Sequence, residues 1–356
     1  MGGQKGVALF YQYLSGHHTI VMAAAHNNGA ANENIILHRV LYDNKKMIWN
    51  IFRLSALKKM IKAQGIDCII AEHSYAAWMA WLLKKSTGVP FIIHSHNLEA
   101  FRFKYMKRWW WKWYRHYERW MHQKADHNFF ISAADLQKAK AAWHIDDRKC
   151  SIITYGVEQP LTIDNAASLL RGELELPNDS PILFFNGTMD YEPNYKAVEV
   201  IVNVLVPLLQ KQLTNFTVVF TGNRMPPALM KKIKAAPHCI YKGYVEHVHV
   251  YYQGASLFIN PITNDSGVKT KVIEALANNA TVVSTLSGAT GIPHELCCEK
   301  LIMVKDNNWP AFAKAIVWQL QQPKQKIAKS FYEYFGWENI VAKAASKINE
   351  LILTNE

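Results

Sequence analysis

The sequence predicts an α/β protein of two doubly wound, parallel-sheet domains, and three observations carry that expectation. Short β-branched or aromatic runs alternate with helix-length segments along most of the chain, the pattern of parallel strands covered by helices on both faces. One polar stretch with two prolines, Glu158 to Ser180, interrupts the alternation and reads as a linker. The length, 356 residues with 50% apolar content, is about two domains' worth with material for two cores.

The strand-like runs of the first half are Thr19 to Ala25, Asp67 to Ala71, Pro90 to His94, His127 to Ile131 and Cys150 to Ile153. Those of the second are Ile182 to Asn186, Phe216 to Thr221, Cys239 to Tyr241, Ala255 to Asn260, Thr281 to Thr285 and Leu301 to Val304. The expected domains are residues 1–160 and 178–330, closed by a helical segment over 331–356. Gly2 and Gly3 directly follow the first methionine, so the first domain is expected to lack an opening strand or to be built differently. No apolar run reaches the ~18 residues of a membrane-crossing helix, and no signal peptide is read at the start. Five scattered cysteines fit free thiols in a reducing cytosol. The net charge of +12 favours acidic partners: nucleotide phosphates, anionic lipid or nucleic acid.

Chemistry concentrates between Ser266 and Thr285. Gly267 is expected to open a helix, whose first turn leaves unpaired N–H groups and a positive dipole end suited to a diphosphate. Lys271 and Glu274, three apart, share one helix face. The lysine suits phosphate charge and the glutamate suits two ribose hydroxyls. The segment follows a strand ending at Pro261 and leads into another, the place where α/β proteins bind ligands. An ordinary surface Lys–Glu pair is the plainer alternative.

These residues resemble glycosyltransferase family 4 and its GT-B relatives. The family pattern is glycine, lysine, Glu-Ala, a small residue, a turn glycine and a Val-Val-Ser/Thr strand. It is met by Gly267, Lys271, Glu274-Ala275, Ala277 and Val282-Val283-Ser284-Thr285. Ser266 stands where the family often has a sugar-holding glutamate. Asn279 stands in place of the turn glycine, and asparagine is the next-best residue for a left-handed cap. The resemblance implies two Rossmann-like domains facing across a cleft. A C-terminal helix, beginning near Phe335-Gly-Trp337, would cross back to the first.

A second resemblance lies in Gly187-Thr-Met-Asp-Tyr-Glu-Pro-Asn194, which matches the signature of one branch of the family. Gly187 lets the backbone approach a ligand and Thr188 can donate to phosphate. That branch lacks the Arg/Lys pair other members place on the phosphates, so Lys271, with Lys269 behind it, would carry that charge. Loops at Gly222, Asn223 and Arg224, at Tyr244 and Val245, and at Ser266, Gly267 and Val268 would flank the nucleotide.

In the first half, His94 and His96 fall on one side of a strand end. They could ligate a metal, but two histidines without a third ligand are weak evidence for zinc. By the resemblance, His96 would orient the transferring sugar, with Asn97, Glu99, Gly2 and Gly3 on the acceptor side. From Arg102 to Lys124 the chain holds eight Lys/Arg against one acid, Glu118, interleaved with Trp109, Trp110, Trp111, Trp113 and Trp120. Read as one basic helix, it suits an anionic bilayer surface through Arg108, Trp109, Trp110, Lys112 and Trp113. Scaffold packing is the alternative, and nucleic acid is not expected.

The implied function is retaining transfer of a hexose from a nucleoside diphosphate sugar to a hydroxyl of a glycan or lipid-linked acceptor, in envelope or lipid-linked glycan synthesis. His96, Lys271 and Glu274 are the catalytic candidates. No metal or other cofactor is required, and the place is the cytoplasm, at the inner face of the membrane. The alternatives are a GT-B-fold nucleotide-sugar epimerase and a non-catalytic binding protein.

Overall fold

The computed structural model describes residues 2–26, 33–177, 179–264 and 267–354. Its contacts separate two units, Gly2–Gly156 with Trp337–Glu356, and Val157–Gly336. The first unit opens with a helix, α1 (Gly2–Leu14), so Gly2 and Gly3 lie in a helical turn and not in a loop after a strand. Strands β1 (Ile20–Ala25) and β2 (Ile35–Leu41) pair in parallel as a separate two-stranded sheet. β2 was not expected: His38 and Arg39 interrupt its apolar run, and only Ile35 is fully buried. Helix α2 (Leu54–Gln64) ends at Gly65, whose φ of 59° needs glycine's freedom.

A four-stranded parallel sheet follows, β3 (Ile69–Glu72), β4 (Phe91–Ser95), β5 (His127–Phe130) and β6 (Cys150–Ile152), in chain order. Between its strands run α3 (Ala77–Thr87), α4 (Glu99–Tyr105), α5 (Trp111–Lys124) and α6 (Ala133–Trp143). Every residue of β4 and β5 is buried, as strands covered on both faces must be. The expected single basic helix is two helices. The break falls between Tyr105 and Trp111 and includes Lys107 at φ 53°.

In the second unit the expected linker contains a helix, α7 (Ala166–Leu174), with Leu170 and Leu174 buried. It packs closely because Gly254 has no side chain: a Cβ there would lie 2.5 Å from the Ala166 carbonyl oxygen. Then come β7 (Ile182–Asn186), α8 (Glu192–Val200), α9 (Val206–Gln210), β8 (Thr217–Thr221), α10 (Pro227–Ala235), β9 (Cys239–Gly243) and α11 (Val248–Gly254). They are followed by β10 (Leu257–Asn260), α12 (Thr270–Ala277), β11 (Val282–Thr285), β12 (Leu301–Val304), α13 (Trp309–Leu320) and α14 (Lys329–Phe335). A π turn, Ile201–Leu205, joins α8 to α9 just before Pro207. The wider turn makes room for a proline ring that would clash with a regular helix.

The six strands are parallel in the order β12-β11-β10-β7-β8-β9. The chain winds outward from β7 through β9, then returns to β7's other side with β10. That places the topological switch between the carboxyl ends of β7 and β10. The last helix, α15 (Trp337–Leu353), belongs to the first unit. Its Trp337 stacks on Tyr13 at 6.2 Å and meets Tyr155 edge-on at 5.7 Å. The expected closing helix is therefore interrupted at Gly336, and only its second part returns to the first unit.

Candidate active site

In the second unit the loops after β7 and β10 diverge at the switch point. Gly187 follows β7 directly: a Cβ there would lie 2.6 Å from Asn194 Nδ2 and 3.0 Å from Lys271 Nζ. Gly222, after β8, has φ +137° and presses on Gly187, with a virtual Cβ 1.8 Å from its carbonyl oxygen. Backbone bonds stitch these loops together. The Gly187 N–H donates to Thr221 O (3.1 Å), Met189 N–H to Asn223 O (3.0 Å) and Gly222 N–H to Gly243 O (2.7 Å).

Lys271 reaches into this junction from α12. Its ammonium donates to Asn194 Oδ1 (2.5 Å) and sits 4.5 Å from the Phe185 ring centroid. Asn194 Nδ2 donates in turn to the Thr188 carbonyl (2.9 Å). The side chain keeps some exposure, yet burial of its charge, and Lys269 beside it, pull its pKa down to about 7, against the opposing pull of Glu274. Asn194 was missed as a site residue, although it ends the Gly187–Asn194 motif. The signal was present, but only the fold brings it to Lys271.

Helix α12 begins at Thr270, three residues later than expected, and no side chain caps it. Gly267 lies in the preceding loop at φ 64°. Lys269 folds back to donate to Gly267 O (3.1 Å), and Val268 is half-buried. Ser266 lies outside the described residues. Glu274 stands one turn beyond Lys271, close enough that its charge, after burial, helps to raise the pKa of Tyr252. Arg224 pairs with Asp190 at 3.4 Å, both exposed, which ties the loop after β8 to the loop after β7. Tyr244 is exposed and Val245 half-buried. Asn279 adopts φ 59°, the left-handed cap expected of it, and its Oδ1 accepts from the Ile327 N–H (2.9 Å).

In the first unit, His94 Nδ1 lies 3.0 Å from Glu72 Oε1 and His96 Nε2 lies 2.5 Å from Glu72 Oε2. The Tyr11 hydroxyl donates to the same Oε1 at 2.7 Å. Burial pushes the Glu72 carboxyl up, but the two histidines outweigh it and hold it well below the usual range. Burial pulls His94 down, with Glu72 opposing, and brings His73 down to about 4. Neither Glu72 nor Tyr11 was singled out in the sequence, since nothing local marks them. Asn97 is half-buried. Glu99, expected to face an acceptor, is only 1% exposed along its side chain and is held by Arg102 at 3.0 Å.

Glu118, the lone acid of the basic segment, is buried. It accepts from the Ser74 hydroxyl (2.8 Å) and from the Glu99 and Ala100 N–H groups (3.0 and 2.8 Å). It thus anchors the start of α4, and burial pushes its pKa up to about 7. Trp110 packs against Phe103 at 4.4 Å, whereas Trp109 and Trp113 are 83% and 75% exposed. Arg108 and Lys112 are exposed beside them. No helix is long and apolar enough to cross a membrane among the described residues.

Comparison with known proteins agrees with this fold. Residues 2–159 match the model for Glycosyltransferase Family 4, and residues 180–322 match the model for Glycosyl transferases group 1. A curated relative, an uncharacterized 44.6 kDa protein in the cps region of Klebsiella pneumoniae, is 29% identical over 146 residues, 38% of this chain. That match spans only 36% of the relative's length. A glycosyltransferase structure from Rickettsia africae superposes with a TM-score of 0.75 at 18% identity, over 99% of this chain and 95% of its own. HepE from Anabaena, solved with UDP-glucose, superposes at 0.67 and 13% identity, over 98% and 94%. With one model on each Rossmann-like half, the chain belongs to the family 4-like, group 1 glycosyltransferases of GT-B fold.

Proposed function

We propose that this glycosyltransferase moves a hexose from a nucleoside diphosphate sugar to a hydroxyl acceptor, with retention at the anomeric carbon. The observation that carries the reading is Lys271, desolvated at the switch point and set against Gly187 and Asn194. A cation held there neutralises a departing diphosphate without a metal. Glu274, on the same helix face, holds the ribose hydroxyls. His96 orients the transferring sugar. Structural likeness to a protein solved with UDP-glucose supports a nucleotide-sugar donor.

Thermal stability against UDP, GDP, ADP and their sugars tests the site. Ligand at a hundred times its dissociation constant adds about 2.7 kcal/mol, a rise of several degrees. The rise is expected with one base and is expected to vanish in Glu274→Ala. A folded protein that responds to none of them loses the enzyme reading to the binding-protein alternative. Product analysis with donor alone separates an epimerase.

The exposed Trp109 and Trp113, with Arg108 and Lys112, suit the headgroup region of an anionic membrane facing the cytoplasm. The double variant Trp109→Ala/Trp113→Ala is expected to bind vesicles containing phosphatidylglycerol at least about tenfold more weakly, since each indole buries a large apolar ring. Equal co-sedimentation of wild type and variant would reject the membrane contact.

A further inference from the structure

We propose that Glu72, His94 and His96 form a binding site for one divalent cation of the zinc class at the carboxyl ends of β3 and β4. This goes beyond the transferase reading, which calls for no metal at the diphosphate. The parallel register sets Glu72 opposite His94, so their side chains stand side by side. His96, two residues further on, returns to the same side. Two imidazoles and one carboxylate are a zinc-type donor set. One ligand atom from each residue lies within 4.8 Å of the others. Tetrahedral bonds of ~2.0–2.1 Å set donors ~3.3 Å apart. The 3.0 and 2.5 Å contacts of the two histidines are with opposite oxygens of Glu72, and they would open by about 0.3 and 0.8 Å to admit an ion.

Two further observations separate this cluster from a plain hydrogen-bonded trio. Tyr11, donating to Glu72 Oε1 at 2.7 Å, is the outer support that ligating carboxylates commonly have. His73, next in chain to Glu72, holds φ 63° and ψ 156°, a region nearly reserved for glycine, and such strain clusters at functional sites. Its ring lies 4.7 Å from that of His96. Its Nδ1 faces Glu99 Oε1 at 3.7 Å, so the ring stands beside the three ligands without being one of them. A cation would tie β3, β4 and, through Tyr11, α1 into one support and fix the ring of His96.

The test is calorimetric titration of the EDTA-stripped full-length protein with ZnCl2 and, separately, MgCl2, with circular dichroism confirming the fold of every variant. One zinc per chain is expected, with no saturable magnesium binding. Affinity should fall at least about a hundredfold in Glu72→Gln and His96→Ala as ligands are lost, and about tenfold in Tyr11→Phe. Should Glu72→Gln not fold, His96→Ala, at a partly exposed position, carries the test. The proposal is overturned if the folded wild type takes up no stoichiometric zinc, if His96→Ala binds it equally well, or if magnesium binds in preference. Nucleotide response is read in a separate assay, so either reading can fail while the other stands.

Discussion

Replacing Lys271 by methionine is expected to stabilise the nucleotide-free protein and to abolish its response to the donor. An ammonium whose pKa is pulled to about 7 is a charge held at a cost, and an apolar chain of similar length removes that cost. Against this, Asn194 Oδ1 loses its donor. Replacing buried charged groups by apolar ones is neutral or stabilising by about 1–4 kcal/mol, and the lost Asn194 bond puts the expected gain at the low end, about 1 kcal/mol, which thermal or urea unfolding will measure. A Lys271→Met protein less stable than wild type would show that the lysine is a structural tie.

The sign of the pH dependence follows from the same group. The folded pKa lies below the usual 10.5, so between about pH 7 and 10.5 the unfolded chain holds more protons and stability rises with pH. That increment should be absent in Lys271→Met. For binding the direction reverses. A diphosphate favours the charged amine, so the favourable contribution is present below pH 7. It weakens by up to about tenfold per pH unit above pH 7, until the pKa of the complex is reached. Nucleotide affinity that stays flat from pH 7 to 9 in the wild type would remove Lys271 from the phosphate.

Gly222→Ala is expected to be the most destructive single methyl in the second unit. The added Cβ would meet the Gly187 carbonyl oxygen at 1.8 Å, and φ +137° is strained for any other residue. Overpacking and backbone strain each cost about 1–3 kcal/mol, so a loss of about 3 kcal/mol or more is expected by chemical denaturation. Nucleotide response should go with it, since the loops after β7 and β8 can no longer touch. An alanine variant of wild-type stability would mean that the two loops separate readily.

Much of this was legible along the chain. The Gly187–Asn194 and Gly267–Glu274 stretches stood out as the proposed nucleotide end, because loops that hold phosphate need glycines and a cation at short, regular spacings. The strand pattern was also readable, apart from β2, whose central His38 and Arg39 hide it. Segments that depend on partners were not readable. Glu158 to Ser180 is polar on average, yet Leu170 and Leu174 make a helix of it once α11 is there to cover them. The basic tryptophan segment has one composition throughout, but Glu118 binding the N–H groups of Glu99 and Ala100 sets where its first helix begins.

By itself the sequence determined the strand–helix alternation and the two-domain plan, and it singled out the glycine, lysine and glutamate proposed to hold the nucleotide. All of these are written in patterns that repeat over a few positions. Only the tertiary structure decided that Asn194 holds Lys271 and that Gly222 presses on Gly187. It alone also gathered Tyr11 and Glu72 with His94 and His96. Those partners lie tens of residues apart, and what brings them together is the order of parallel strands, which no local pattern encodes.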